Sequence, residues 1–469
     1  MYEIRVEGKA IDLFPDQVVE FSRRSGLFNP NIIEGNGTLP FQVKVTDRNK
    51  RIFGYSHLQQ IGWRNRTFYA EKYAFGSIIE RGYVKVQQAD DQKIQCYFTQ
   101  NLSEVFGEYQ KTLLNKLPLG GEILPGTFVA NANHLIDKYC LPQVQNTAFY
   151  GTNSQGGYNG IINEHDGVNY GGSTKVPMLF NKYFLERITQ LCGISFLGDF
   201  MNNADYQRLI IHNTHSLDNA TSIEYANHLP EMSVEQYFVE LKKLFNLLMK
   251  FDIHAKTLKI DSIDGVLKKP CILDWSNKVS PIRNKAPEPS QGIELEFGLN
   301  GSDGLTKVPN PDFDKYRTAL LAGQEISYQT IKSAWSSLTS TASGLPKMEM
   351  AGISSNFNQQ ANKFSPQFLF WTGLNAGKPS ALNNFGNSKI AFYGANNLQQ
   401  NCWQSYENWK AKTFACSADA YLTAADVVTF DSSEKVHING VNYYVDELKL
   451  QLTNKPSTIL RATLNLYKA

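Results

Sequence analysis

His212 and His215 lie three residues apart with Asp218 three further on, and imidazole and carboxylate are the groups that a zinc or iron site uses. Leu209 to His212, however, reads as the end of a strand running into a polar turn, where both rings would face solvent, so no metal is assigned there. Glu164-His165-Asp166 is a second such grouping, inside a glycine-rich stretch and without further ligands. A phosphate loop needs Gly-x4-Gly-Lys-Ser/Thr, so that backbone N–H groups and a lysine surround the phosphates. Gly373-Leu374-Asn375-Ala376-Gly377-Lys378-Pro379 is one residue short and has proline where the hydroxyl should be. Ser432 to Lys435 has the Ser-x-x-Lys spacing but falls in a turn, and no Gly-x-Ser-x-Gly elbow occurs. A carboxylate pair for glycoside hydrolysis is set by distance in space, on which sequence spacing is silent. No catalytic, cofactor-binding or metal-ligating residue is therefore assigned, and no cofactor is expected.

The elements that would have to position any chemistry are mostly strands. The chain has 469 residues, enough for about three domains with real cores. Aromatics make up 12%, with 23 Tyr and 28 Phe, which suits sheets and interfaces. Lys plus Arg number 46 against 44 Asp plus Glu, so a formal charge of +2 gives no case for binding nucleic acid or anionic membrane. The opening MYEIRVEGKAIDLF lacks a basic stretch followed by an apolar run, and no membrane-length apolar segment occurs, so a soluble chain made without a secretory signal is expected. Cys96, Cys140, Cys192, Cys271, Cys402 and Cys416 are scattered beside apolar residues and read as buried free thiols of a reducing compartment.

The fold class expected is α+β and β-rich, in several domains. Residues 1–120 read as a small sheet or barrel. It starts with a hairpin at Tyr2–Val6, continues through Leu39–Val45, and has clear strands at Tyr83–Val86 and Ile94–Phe98. Asp47 is placed as the cap of a helical turn, Arg48 to Phe53, that Gly54 stops. Leu102, Val105, Phe106, Tyr109, Leu113 and Leu117 fall at helical spacing up to Pro118 and predict a helix covering the sheet. Residues 121–175 read as a loop-rich connection. Within it, 151–172 holds seven glycines and four asparagines and is expected to be mobile.

Residues 176–280 alternate helix and strand. A Tyr-Phe-x-Glu core at Tyr183 recurs 54 residues on, at Tyr237, which raises a duplicated unit as one reading. The second helix has a capping box in Ser233 and Gln236, a staple from Met232 to Tyr237, and one apolar stripe that reads as core. Pro281, Pro287, Pro289, Pro309 and Pro311 make 281–315 a connection. The block 316–425, rich in Ser, Thr and Asn, reads as irregular. At 426–469, Asn439-Gly440 between alternating runs is the strongest hairpin signal, opening a C-terminal β-meander that could complete a barrel.

Two segments carry a family resemblance: Thr38-Leu39-Pro40-Phe41 through Thr46-Asp47-Arg48-Asn49 to Gly54-Tyr55, and Leu229-Pro230-Glu231-Met232-Ser233 through Leu244-Phe245-Asn246 to Asp274-Trp275. They cover about half the chain and resemble tail proteins of phages and prophages of Bacteroidetes-type bacteria, which are similar to the baseplate hub family of long-tailed phages and contractile injection systems. The resemblance implies small β-barrel domains that build a ring, usually a homotrimer whose paired barrels imitate the sixfold symmetry of the tail tube. It also implies a structural, non-enzymatic protein of the virion tail tip, assembled in the host cytoplasm. The ring would join the tail tube or distal tail protein to a central spike or fibre, with the tape measure protein and DNA passing through its lumen. The block 316–425 has no match in that pattern. Two other readings compete. One is a distal tail or receptor-binding protein, with Trp371, Trp403 and Trp409 as a sugar platform; the other is a tail-associated enzyme that degrades cell wall.

Overall fold

The structure, a computed structural model, describes residues 2–15, 17–31, 33, 37–38, 40–62, 66–100, 106–151, 157–172, 174–252, 255–320, 326–356, 364–452 and 459–469. It is β-rich α+β in several domains, as the sequence predicts.

The N-terminal strands are β1 (Tyr2–Val6), β2 (Lys9–Ala10), β3 (Val19–Arg24), β4 (Gly37–Thr38), β5 (Phe41–Lys44), β6 (Thr67–Ala74), β7 (Ser77–Ala89) and β8 (Lys93–Thr99), with α1 (Asp47–Ile52) between β5 and β6. Alternation of apolar and polar residues sets one face of each inward: Tyr2, Ile4 and Val6 on β1, Ile94, Cys96 and Phe98 on β8. The antiparallel order β1-β6-β7-β8-β5 curls until its ends meet, where Leu13 bridges Val43 and Lys44 N–H donates to Asp12 O at 3.2 Å. The cap of α1 is Thr46, one residue before the expected Asp47: its side chain accepts from Asn49 N–H, and Asp47 takes the first helical turn, where a carboxylate suits the helix dipole.

The middle of the chain forms a second body. It contains α2 (Asn181–Cys192), β9 (Ser195–Leu197), β10 (Leu209–His212), α3 (Val234–Phe245), β11 (Leu247–Asp252), β12 (Thr257–Ser262), β13 (Gly292–Phe297), β14 (Tyr328–Ser333), β15 (Gln367–Asn375) and β16 (Lys378–Leu382). The α3 capping box forms as read, with Ser233 and Gln236 bonded reciprocally. Each of α2 and α3 ends in a left-handed residue, Gly193 or Asn246, and leads into a strand of one three-stranded sheet, β9-β12-β11. Phe184 and Tyr237, from the two Tyr-Phe pairs, meet edge to face at 4.9 Å. Residues 253–254, which follow β11, lie outside the described residues.

Three expectations are corrected here. Residues 101–105 of the expected covering helix lie outside the described residues, and 106–117 form short 3-10 turns at Gly107–Tyr109 and Leu114–Lys116. Their backbone groups pair with the start of α3 instead of along a helix: Val234 N–H donates to Thr112 O, Glu235 N–H to Gln110 O and Leu114 N–H to Met232 O. Phe106 stacks on Phe238 at 4.9 Å, so the segment packs on α3 and not on the N-terminal sheet.

In the stretch expected to be mobile, 152–156 lie outside the described residues, but the part from 157 on is held. Asn163 is fully buried; its Nδ2 donates to Pro142 O and Val176 O, and its Oδ1 accepts from Val176 N–H at 2.7 Å. The block 316–425 is regular over much of its length. It supplies β14 to β13, the pair β15–β16 to a five-stranded sheet, and a long strand to the C-terminal body.

That body is built from β17 (Phe414–Leu422), α4 (Ala424–Thr429), β18 (Lys435–Ile438), β19 (Val441–Leu452) and β20 (Leu460–Lys468). Asn439 and Gly440 both take positive φ and close the β18–β19 hairpin as expected. Residues 453–458, between β19 and β20, lie outside the described residues.

Candidate assembly site

The order of the C-terminal body, β18-β19-β20-β17 with α4 between β17 and β18, repeats that of the first barrel, β6-β7-β8-β5 with α1 between β5 and β6. Both hairpins that follow the helix turn through two positive-φ residues, Phe75-Gly76 and Asn439-Gly440. The match extends to single residues. Thr46 and Thr423 cap the helices, accepting from Asn49 N–H and Asp426 N–H. Phe53 and Phe430 are buried just after them.

The closing segments match too. Val279 bridges Ala420 as Leu13 bridges Val43, and Tyr421 N–H donates to Lys278 O as Lys44 N–H donates to Asp12 O. The third helical residue then holds the closing segment in each barrel. Asn49 Nδ2 donates to Asp12 O at 2.9 Å, and Asp426 Oδ1 accepts from Lys278 Nζ at 2.5 Å. One chain therefore carries two barrels of one design.

The seam between them is β3. Its VEFSRR sequence pairs along β19 from Val19–Leu452 to Arg24–Glu447, while its other edge pairs through β4 to β8. Val19, Phe21 and Arg23 share one face by alternation. The Arg23 guanidinium donates to Val427 O at 2.9 Å and Phe430 O at 3.0 Å, carbonyls that the end of α4 leaves unpaired, and to Ile79 O of the first barrel at 3.3 Å. One side chain thus ties both barrels.

Beneath it lies a buried ion pair, Lys72 Nζ to Glu80 Oε2 at 2.7 Å, with the ammonium 3.7 Å from the Phe98 ring centre and 4.3 Å from that of Phe21. Burial pushes Lys72 down to about 8 against the pull of Glu80. Burial alone would raise Glu447, but hydrogen bonds from Ser22, Lys449 and Arg24 outweigh it and hold the carboxyl below its ordinary range. From the seam the chain continues into the middle body. There Lys242 Nζ donates to Gly26 O and Asn29 O, each at 2.7 Å, and Phe28 stacks on Trp409 at 4.5 Å.

The residues that sequence singled out for chemistry are dispersed. His212 is buried and His215 half-buried, which corrects the expectation that both rings face solvent from a polar turn. β10 is interior to the five-stranded sheet, and burial continues through 213, 214, 216 and 217. His212 Nδ1 lies 3.0 Å from Gln367 Oε1 and His228 Nδ1 3.2 Å from Asn213 Oδ1. Desolvation pushes His212 down to about 4; desolvation and then the neighbouring His215 push His228 to about 3. The Asp218 carboxylate accepts from Tyr150, Thr174 and Ser354 hydroxyls. Among the described residues no three His, Cys, Asp or Glu side chains come together as a metal site.

Gly373–Pro379 spans the β15–β16 hairpin, turned at Ala376 and Gly377, so no helix N-terminus follows to receive a phosphate. Asp166 caps the turn at Val168 and Asn169. Trp371 and Trp403 are buried, their indole N–H groups donating to Ala132 O and Leu244 O, and Trp409 is packed under Phe28, so they form no platform. Of the six free cysteines, Cys96, Cys140, Cys402 and Cys416 are buried, and Cys192 and Cys271 are half-buried. Sequence reasoning missed the seam residues Arg23, Lys72 and Glu80; the signal available was parity, since Lys72 shares a face with Ala70 and Ala74.

No protein-family model and no curated protein matches the chain. Among solved structures it is similar to the 43 kDa tail protein of prophage MuSo2 from Shewanella oneidensis, with a TM-score of 0.42 and 9% identity over 99% of this chain and 98% of that one. It is similar to a tail protein from Neisseria meningitidis MC58, with a TM-score of 0.41 and 10% identity over 100% and 96%. An E. coli component of the type VI secretion system, described as structurally similar to the T4 phage tail proteins gp27 and gp5, gives a TM-score of 0.35 and 8% identity over 99% and 76%. At these scores the likeness says nothing of shared chemistry.

Proposed function

We propose that this chain is a structural subunit of a phage-type tail tip, a baseplate hub that closes into a ring of three. The observation that carries the reading is the pair of barrels of one design locked side by side through β3. Head-to-tail contacts close into rings when the rotation per subunit divides the circle. Three copies with two like barrels each place six like units around an axis, which lets a threefold ring meet a sixfold tube.

On this reading the ring joins the tail tube or distal tail protein on one face to a spike or fibre on the other, and the tape measure protein and DNA pass through its lumen. The chain does no chemistry of its own. The receptor-binding alternative loses its main support with Trp371 and Trp403 in the core. Light scattering on the purified protein tests the proposal: a mass of three subunits is expected, and a single-subunit mass at the highest soluble concentration counts against it.

A further inference from the structure

We infer that copies of this chain join edge to edge, the strand Arg283–Pro287 of one copy pairing antiparallel with the end of β7 in the next. The inference rests on the ring reading above and adds which edges meet.

The two barrels correspond residue by residue at one constant spacing along the chain. Thr38, Val43, Thr46 and Phe53 of the first stand where Ala415, Ala420, Thr423 and Phe430 stand in the second. The strand laid against each barrel corresponds as well. In the first barrel β3 places Phe21 opposite Thr38 and Ser22 opposite Gly37. In the second, Arg283–Pro287 places Ala286 opposite Ala415 and Pro287 opposite Phe414. Arg283–Pro287 is therefore the β3 of the second barrel.

The outer edges of these two strands differ. β3 turns its outer edge to β19, with Phe21 opposite Leu450 and Ser22 opposite Lys449, and so makes the seam. Arg283–Pro287 is the last strand of its sheet, and all five of its residues are exposed.

The edge that matches it is on the first barrel. Leu450 lies opposite Ala462, which lies opposite Ala420; Ala89 lies opposite Ile94, which lies opposite Val43. Ala89 of β7 is thus the counterpart of Leu450. β6 pairs with β7 only as far as Lys85, and among the described residues no strand covers that side of residues 86–89. One chain therefore holds one closed seam and the two halves of a second, on different barrels and six strands apart in the sheet. The rotation that carries the first barrel onto the second carries the second onto the first barrel of another copy. Contacts between two unlike edges are head-to-tail, and repeating them by one rotation closes a ring.

The charges agree with this register. With Ala286 opposite Ala89, an antiparallel pairing brings Lys285 and Arg283 towards the Asp90-Asp91 turn, where Asp91 is exposed. Opposite charges across strands favour that alignment. Lysine and proline on an edge discourage pairing with edges that lack the acidic partner.

The experiment treats the full chain carrying Ala89→Cys/Ala286→Cys with a short bis-maleimide and reads chain mass on a denaturing gel. Each single variant serves as the control for the six native thiols. Light scattering gives the mass of the untreated wild type, and circular dichroism checks that the variants fold. The double variant is expected to give a ladder ending at three chains, and the single variants to stay at one. A wild type of threefold mass with a folded double variant that cross-links no more than the single variants overturns the edge pairing and leaves the ring reading standing; a wild type at one subunit mass overturns both.

Discussion

Replacing Lys72 by alanine is expected to cost about 3–5 kcal/mol of folding stability, because it strands a carboxylate in the barrel interior. Lys72 and Glu80 are both buried, and the ammonium sits between the rings of Phe21 and Phe98. The loss would reach beyond one barrel, since Phe21 belongs to β3, the strand that joins the two. Arg23 lies close enough to feel the Glu80 charge and offers it a remaining counterion, which places the cost toward the lower end. Removing both charges, as Lys72→Met/Glu80→Leu, is expected to restore most of the stability, because an apolar pair of similar volume needs no desolvation of ions. Denaturant midpoints of the wild type, the single and the double variant measure this. An unchanged midpoint for Lys72→Ala would mean that the pair does not hold the seam.

Acidification from pH 6.5 to 4 is expected to destabilise the protein through two buried histidines, by about 3 kcal/mol each at pH 4. His212 and His228 stay neutral in the folded chain until about 4 and about 3, because burial disfavours the imidazolium. In the unfolded chain ordinary histidines take up protons near pH 6.5. The unfolded state therefore binds more protons throughout this window, so stability is fully present above pH 6.5 and falls as the pH drops towards 4 and below. Asparagine keeps a hydrogen-bonding nitrogen near the place of Nδ1, so His212→Asn and His228→Asn are expected to flatten the dependence while leaving stability at pH 8 less changed. Melting curves at pH 8, 6, 5 and 4 decide it. Variants whose acid loss equals that of the wild type would assign the effect to carboxylates instead.

What could be read from the sequence was local. Asn439-Gly440 and the Ser233–Gln236 capping box bind neighbours in the chain, and both formed as expected. The β3–β19 ladder joins residues more than 400 positions apart, and such pairing leaves only ordinary alternation in each strand. The helical spacing of Phe106, Tyr109 and Leu117 arose from packing against the middle body, which imposes its own periodicity on a string of turns. In the glycine- and asparagine-rich stretch, composition counted missing apolar surface but not the three bonds made by the Asn163 side chain.

Sequence repetition was sought in the Tyr-Phe-x-Glu helices, where two large aromatics catch the eye. The repeat between barrels rests on Thr46 and Thr423, Phe53 and Phe430, with loops of unequal length between the strands. Its signature is a hydrogen-bond plan more than a residue string.

The central claim, that two like barrels per chain build one ring, is tested most directly by imaging the purified protein on its own in the electron microscope. End-on averages are expected to show six lobes around a central hole, alternating in shape so that the true symmetry is threefold. Compact particles without a hole, or rings whose lobes are not six, would contradict the account.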